Sequence, residues 1–219
     1  MPVYVPRAIQ HAKLSLLAWT HHVRVIIGSG NLTEPGYREN VEVFGTLDAS
    51  AEHGGRVAAI GRCLDFLDRV LDRSLGDPER EGPLARARAA VAGVRQRIAP
   101  WSEIRERRPS VTPVFGGVGK SVLDQMGELW PERKPPYFIA VLSPFFDRER
   151  ADETKAALLG QLGRRDAAQL EYHIPGHPLP DGRVKLAAPL ALTNGTPDNV
   201  DLAFFSIPEE QDDEHRPMH

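Results

Sequence analysis

Short apolar runs of β type alternate with amphipathic helical stripes along most of this chain. The strand candidates are residues 11–19, 23–29, 39–47, 137–142, 170–174, 184–187 and 200–205. The helix candidates are residues 56–74, 83–98, 121–129 and 152–165. This alternation predicts an α/β sandwich, in which a mixed β-sheet is flanked by helices. We expect residues 1–219 to form a single domain of this kind.

Composition limits the class of protein. The chain has 219 residues, of which 41% are apolar and 26% charged, as in soluble globular proteins. A net charge of −3 argues against a basic nucleic-acid binder that uses its whole surface, but not against a local basic patch. The single cysteine, Cys63, excludes an internal disulfide framework and is expected to be a buried helical thiol.

Membrane and export signals are not apparent in the sequence. The apolar runs are far shorter than the roughly 20 residues that a spanning helix needs. The first residues lack the charged and apolar regions of a signal peptide. We therefore expect a cytoplasmic protein without a transmembrane segment.

Four polar residues lie at the ends of the first two predicted strands. His11 and Lys13 are two residues apart on one strand, so their side chains point to one face. Ser29 and Asn31 are also two residues apart, at the end of the next strand. Because only Thr20-His21-His22 separates the strands, a hairpin would bring all four groups to one edge.

These residue types suit chemistry at a phosphodiester. A neutral imidazole at His11 can attack phosphorus and form a covalent phosphohistidine. Lys13 supplies positive charge, and Ser29 and Asn31 supply neutral donors, to the non-bridging phosphate oxygens. Gly30 lets the backbone approach a ligand closely. The arrangement requires neither a metal nor another cofactor.

An acidic residue completes the constellation. Glu42 lies eleven residues past Asn31, on the third predicted strand. Its carboxylate could accept a hydrogen bond from the far ring nitrogen of His11. That bond would fix the tautomer of the imidazole and stabilise its protonated form.

The order His-x-Lys and then Gly-Ser-x-Asn resembles the signature of the phospholipase D superfamily. Many members have an Asp five residues after the Lys, where this chain has Ala18. The missing Asp, the twenty-residue step from His11 to Asn31 and the Asn-Leu-Thr run at 31–33 resemble the tyrosyl-DNA phosphodiesterase branch. The match covers residues 1–48.

The resemblance implies roles for four residues. His11 would be the nucleophile, Lys13 and Asn31 the phosphate ligands, and Glu42 the residue that orients His11. The substrate would be a nucleic-acid or lipid phosphodiester, with nucleic acid favoured, and the fold would be of phospholipase D type.

The superfamily builds one active site from two such motifs, and the second histidine protonates the leaving group. This chain has no second His-x-Lys. His173 and His177 have no lysine two residues on, and Lys185 lies eight residues past His177. His173 lies within the strand candidate 170–174, and we expect His177, Asn194 and Asn199 to be loop residues.

Two hypotheses account for the missing half. The chain could be a fragment in which His219, its last residue, begins the second motif. Alternatively, a one-motif protein could complete its site as a two-fold homodimer, in which each subunit contributes His11. A non-catalytic module that binds a phosphate backbone or mediates dimerisation is the alternative from a different functional class.

Two further patterns suggest competing functions. Residues 116–121, Gly-Gly-Val-Gly-Lys-Ser, resemble a nucleotide-binding P-loop, but the required first glycine is replaced by Val114. The departure from the motif argues against nucleotide hydrolysis, which is a third alternative. Seven arginines between Arg86 and Arg108 could contact a phosphate backbone or form the solvated face of a helix.

Overall fold

The computed structural model describes residues 11–34, 38, 42–76, 82–103, 111–116, 121–129, 136–143, 151–162, 168–186 and 188–208. Within these residues the chain is α/β, with one antiparallel sheet, one mixed sheet and four α-helices. It divides into two compact units, Met1–Phe115 and Gly116–His219. The finer expectation, a single phospholipase D-like sandwich domain, stays a prediction.

The sheet of the first unit is antiparallel, with strands in chain order. Its strands are β1 (Leu14–Ala18), β2 (His22–Gly28), β3 (Phe44–Ser50) and β4 (Gly54–Gly55). The predicted hairpin between β1 and β2 is confirmed. The Trp19 backbone N–H donates to the carbonyl of His22 across 2.8 Å and closes a tight turn.

The third strand differs from its prediction at residues 39–47. It begins at Phe44, which pairs with Gly28, and it runs on to Ser50. The regular ladder between β2 and β3 ends at the pair Gly28↔Phe44, and one further backbone bond, from the Ser29 N–H to the Val43 carbonyl, lies beyond it. Glu42 therefore precedes the strand, and the prediction that it lies on the strand is wrong.

One face of this sheet forms the core of the first unit. Val23, Val25, Leu47 and Ala49 alternate along β2 and β3 and are buried. They belong to one apolar cluster with helices α1 (Val57–Asp72) and α2 (Pro83–Ile98) and with Trp101 of the 3-10 helix Ala99–Glu103.

The helices match the sequence pattern closely. Ile60, Leu64 and Leu71 of the apolar stripe predicted on α1 are buried. Cys63 is buried beside them, so the expectation of a buried helical thiol is confirmed. Pro83 begins α2, where its missing N–H costs nothing.

The opposite face of the sheet, here called the outer face, follows from the period of two along each strand. It comprises Lys13, Ser15, Leu17, Trp19, His22, Arg24, Ile26, Gly28, Phe44, Thr46, Asp48 and Ser50. None of these residues is buried, in contrast to the core face.

The second unit contains a mixed sheet. Its strands are β5 (Phe138–Leu142), β6 (Ala168–Pro178), β7 (Val184–Leu186) and β8 (Val200–Pro208). β5 and β8 pair with β6 in parallel, and β7 pairs with it antiparallel. The helices are α3 (Val122–Leu129), α4 (Ala151–Gln161) and the 3-10 helix Leu190–Leu192.

The core of the second unit lies on one face of its sheet. Leu170, Tyr172 and Ile174 of β6 are fully buried, as is Leu192, and Leu158 of α4 is buried in the same cluster. A hydrogen bond from the buried Lys155 Nζ to the carbonyl of Asn194 joins α4 to the loop after the 3-10 helix.

Two expectations for the second unit are wrong. A continuous apolar run such as 137–142 predicts a strand covered on both faces. That prediction is wrong, because Phe138, Ala140 and Leu142 are exposed and only Ile139 and Val141 pack against the core. The uniform apolar composition of the run concealed this difference between its two faces.

The prediction that His177 is a loop residue is wrong, because it lies on β6, as does His173 of the predicted strand 170–174. Parallel pairing with β8 reaches Gly176, and antiparallel pairing with β7 extends the strand to Pro178, beyond the apolar segment 170–174. Asn194 and Asn199 lie in turns, as predicted.

Candidate active site at the ends of β1 and β2

Strand register brings the two halves of the N-terminal motif to one end of the first sheet. The ladder runs from Ala18↔Val23 to Leu14↔Ile27. It continues one step further, because the Gly28 N–H donates to the Lys13 carbonyl across 3.2 Å. Lys13, Gly28 and Phe44 therefore lie side by side in one row across three strands.

His11 and Lys13 are in direct contact. Lys13 Nζ lies 2.7 Å from Nδ1 and 2.9 Å from Nε2 of His11, and 3.2 Å from the His11 carbonyl oxygen. An ammonium group has only donors, so the imidazole must offer a lone pair in this contact. The neutral form that accepts the bond is also the form that a nucleophile requires.

Ser29 and Glu42 form a second contact at the same strand ends. The Ser29 hydroxyl donates to Glu42 Oε2 and accepts a bond from the Val43 N–H across 3.0 Å. The Ser29 N–H in turn donates to the Val43 carbonyl across 3.1 Å. The side chain of Ser29 thus ties the start of β3 to the end of β2. That Glu42 orients His11 stays a prediction.

Asn31 lies three residues beyond the end of β2 and is exposed, and the Thr33 N–H donates to its carbonyl across 2.8 Å. Among the residues that the structure describes, the Asn31 side-chain amide makes no hydrogen bond. Gly30 between Ser29 and Asn31 is buried. An accessible amide suits a phosphate ligand, and its convergence with Lys13 on one phosphate stays a prediction.

Phe44 is a neighbour of the site that the sequence did not reveal. A side chain on Gly28 would come within 2.2 Å of Cδ1 of the Phe44 ring, so the ring covers this glycine. Phe44 lies in the same row as Lys13. Gly28 itself was a possible sequence signal for this contact, because only a residue without Cβ admits a ring at this distance.

His177 and Lys185, which are separated in sequence, are opposite each other in the second unit, where β6 pairs with β7. Their spacing of eight residues does not fit a motif along one strand, but a hairpin makes them cross-strand partners. His173, four residues earlier on the same face of β6, stacks on Phe205 with ring centroids 5.0 Å apart. This second histidine–lysine pair was missed because the register of β7 is not readable from the sequence.

Only Gly116 and Ser121 of the P-loop-like segment 116–121 lie within the described residues. Ser121 and Asp124 form a capping pair at the start of α3. The Ser121 N–H and hydroxyl both donate to Asp124 Oδ2, and the Asp124 N–H donates to Ser121 Oγ across 3.0 Å. A carboxylate thus occupies the helix N-terminus that a nucleotide phosphate would need.

Two arginines of the basic stretch hold α2 against α1. Arg95 forms ion pairs with Asp65 at 2.9 Å and Asp68 at 2.7 Å, and Arg88 pairs with Asp72 at 2.9 Å. For Arg88 and Arg95, the structure therefore favours a role in helix packing over contact with a phosphate backbone. Residues 104–110 lie outside the described residues.

Neither a candidate metal site nor a membrane-spanning helix is found among the described residues. Within the described ranges, no group of three or more His, Cys, Asp or Glu side chains could hold a metal ion. In the same ranges, no helix combines the length and apolar character needed to cross a membrane. His219, the candidate start of a second motif, lies outside the described residues.

Comparison with known proteins adds no relative. No protein-family model, no curated protein and no solved structure matches this chain.

Proposed function

We propose that this protein is a phosphodiesterase of phospholipase D type that acts through a phosphohistidine on His11. The observation that carries the proposal is the contact between the Lys13 ammonium and the His11 ring, at the strand end where Ser29 and Asn31 emerge. A nucleophile that must be neutral and a cation that can hold a phosphate lie within hydrogen-bond distance of each other.

The reaction takes place in two steps. A ring nitrogen of His11 forms a bond to phosphorus while the ester P–O bond breaks, and a general acid gives its proton to the departing oxygen. Lys13 and Asn31 donate to the non-bridging oxygens, where negative charge builds up. Water or an alcohol then attacks phosphorus and gives its proton to the deprotonated general acid, while the P–N bond breaks. The products are a phosphate ester of the attacking oxygen and the neutral imidazole of His11. No step requires a metal ion.

The general acid of the first step has two candidate sources. A second motif that begins at His219 would supply a histidine, and a two-fold dimer would supply a second His11. Translation of the reading frame past His219 distinguishes them: a lysine two residues on supports the first source. Sedimentation equilibrium of the chain tests the second, which requires a dimer.

The assay for the proposed function uses bis(p-nitrophenyl) phosphate in excess EDTA. Because nitrophenolate leaves without prior protonation, the first step can proceed without the general acid. We expect a burst of about one equivalent of nitrophenolate per site, followed by slow turnover. His11→Ala should lower the rate by about 1,000-fold or more.

His53→Ala is the matched control, since His53 is an exposed histidine in the turn between β3 and β4. The rate should be unchanged in this variant. The proposal fails if neither this chain nor the product of the complete reading frame shows turnover that depends on His11. A rate that disappears on chelation would also contradict it.

The absence of turnover that depends on His11 would favour the alternative, a module that binds a phosphate backbone without cleaving it. The exposed Lys13–His11 pair also suits that role, because binding needs the cation and the donors but not the nucleophile. Nucleotide hydrolysis is disfavoured, since the N-terminus of α3 is already occupied by the Asp124 carboxylate.

A further inference from the structure

The outer face of the first sheet leads from the candidate phosphate site to a second group of polar and aromatic side chains. Read across β1, β2 and β3, its rows are Lys13–Gly28–Phe44, Ser15–Ile26–Thr46, Leu17–Arg24–Asp48 and Trp19–His22–Ser50. Successive rows are two residues apart, which is about 7 Å along a strand. The first and last rows are therefore about 20 Å apart.

The far end of this face presents an exposed aromatic surface. The Trp19 ring stacks on the His22 ring, with centroids 5.3 Å apart and an interplanar angle of 14°. Trp19 is 51% exposed although it is a large aromatic residue. Its backbone carbonyl accepts a hydrogen bond from Arg97 Nη1 across 2.8 Å, and Nε2 of His22 lies 2.9 Å from Asp48 Oδ1. Hydrogen bonds thus hold the backbone of Trp19 and the ring of His22 in place, while the Trp19 indole is accessible to solvent.

A positioned cation lies next to this platform. Arg24 donates through Nε to Asp48 Oδ1 across 2.7 Å, and its side chain is 43% exposed. Within the described part of the chain, neither terminal nitrogen of Arg24 makes a hydrogen bond. The same carboxylate oxygen therefore orients Arg24 and His22, and two guanidinium nitrogens remain able to bind an anion.

The near end and the middle rows fit the same ligand. Phe44, 45% exposed, places a ring beside Lys13. The row between this end and Arg24 consists of Ser15, Ile26 and Thr46 and so contains no carboxylate that would repel a polyanion. An aromatic ring and a cation thus occur at both ends of this face, and its one carboxylate, Asp48, is paired with Arg24 and His22.

We propose that the outer face binds a single-stranded nucleic acid whose backbone leads into the candidate active site. Bases stack on Phe44 and Trp19, and Arg24 donates to a phosphate between them. Exposed aromatics with interspersed cations on an antiparallel sheet are a common means of binding single strands, because every base offers a π-face. The inference rests on the proposed function for the direction of the strand. A lipid would instead need a continuous apolar surface, which Arg24 and His22 interrupt.

The test is the affinity of the full chain for a fluorescein-labelled single-stranded oligodeoxynucleotide of about ten nucleotides. Fluorescence anisotropy is measured at one fixed salt concentration and in EDTA. Trp19→Ala should raise Kd about 5- to 100-fold, since it removes one stacking platform. Trp19→Phe should restore most of the affinity, which separates loss of the ring from loss of the fold.

Arg24→Gln should also raise Kd, and it should make Kd less dependent on salt, since one phosphate contact is lost. The matched controls are Tyr137→Ala, an aromatic 62% exposed on the second unit, and Arg183→Gln, which pairs with Asp181 in a turn. Both should leave Kd within about twofold of wild type, the range of small surface effects.

Several results would overturn the inference. These are the absence of oligonucleotide binding by the wild-type chain, an equal Kd for wild type and Trp19→Ala, or a failure of Trp19→Phe to restore binding. If Trp19→Ala instead turns a dimer into a monomer, or abolishes binding to anionic phospholipid vesicles with Kd unchanged, the face serves another occupant. Binding that depends on Trp19 without cleavage that depends on His11 would refute the proposed function and support this inference.

Discussion

Replacement of Asp48 by alanine should destabilise the first unit by a predictable amount. Asp48 Oδ1 lies 2.7 Å from Arg24 Nε and 2.9 Å from His22 Nε2, and the Asp48 side chain is 31% exposed. A hydrogen bond to a charged group contributes about 1.5–3 kcal/mol when buried, and an exposed ion pair about 0.2–1 kcal/mol. At intermediate exposure we expect about 1 kcal/mol for each contact and about 2 kcal/mol for both.

The pH dependence of the same residue gives a second measurement. Burial tends to raise the pKa of the Asp48 carboxyl, but hydrogen bonds from Arg24 and His22 outweigh it and hold the pKa below its usual value. The folded state thus has the lower pKa, so the stabilisation is complete above the unfolded pKa of about 3.9. It should be lost as the pH falls through the folded pKa, and Asp48→Ala should lack this component.

Urea unfolding of the full chain, followed by tryptophan fluorescence, measures both effects. With a slope of about 2 kcal/mol/M, a loss of 2 kcal/mol lowers the midpoint by about 1 M. Glu52→Ala is the control, since its side chain is 83% exposed and lies 3.7 Å from His53. An Asp48→Ala midpoint equal to that of wild type at pH 7, or an unchanged acid dependence in the variant, would refute this account of the contacts.

Two further outcomes follow from the core of the first unit. Burial raises the pKa of the Cys63 thiol to about 11. The thiol should therefore not react with a thiol reagent at pH 8 in the native protein, and it should react fully in urea. Rapid labelling of the folded chain would contradict the buried position. Leu64→Ala, at a fully buried position, should lower the free energy of unfolding by about 2–5 kcal/mol, while Leu75→Ala, at 62% exposure, should change it by less than about 0.5 kcal/mol. Equal effects of the two substitutions on the urea midpoint would show that Leu64 does not lie in the core.

Local sequence signals determined most of the secondary structure and the near end of the candidate site. The two-residue spacing of His11 and Lys13 and the short turn at 20–22 sufficed to predict a hairpin that brings Lys13 next to the end of β2. The same holds for α1 and α2, whose apolar stripes and first-turn proline fix their positions. Such features depend on contacts between residues that are close in sequence, and they can be read without knowledge of the fold.

Tertiary structure decided which residues pair across the strands and which face of each strand is covered by its neighbours. It moved the start of β3 to Phe44, so that Glu42 meets Ser29, and it exposed one face of β5 despite its uniform apolar sequence. It also aligned Trp19, Arg24 and Lys13 on one outer face. The sequence alone determined which strands and helices form and which polar groups lie at their ends. Partners across a sheet are chosen by backbone pairing between distant segments, which leaves no local pattern in the sequence.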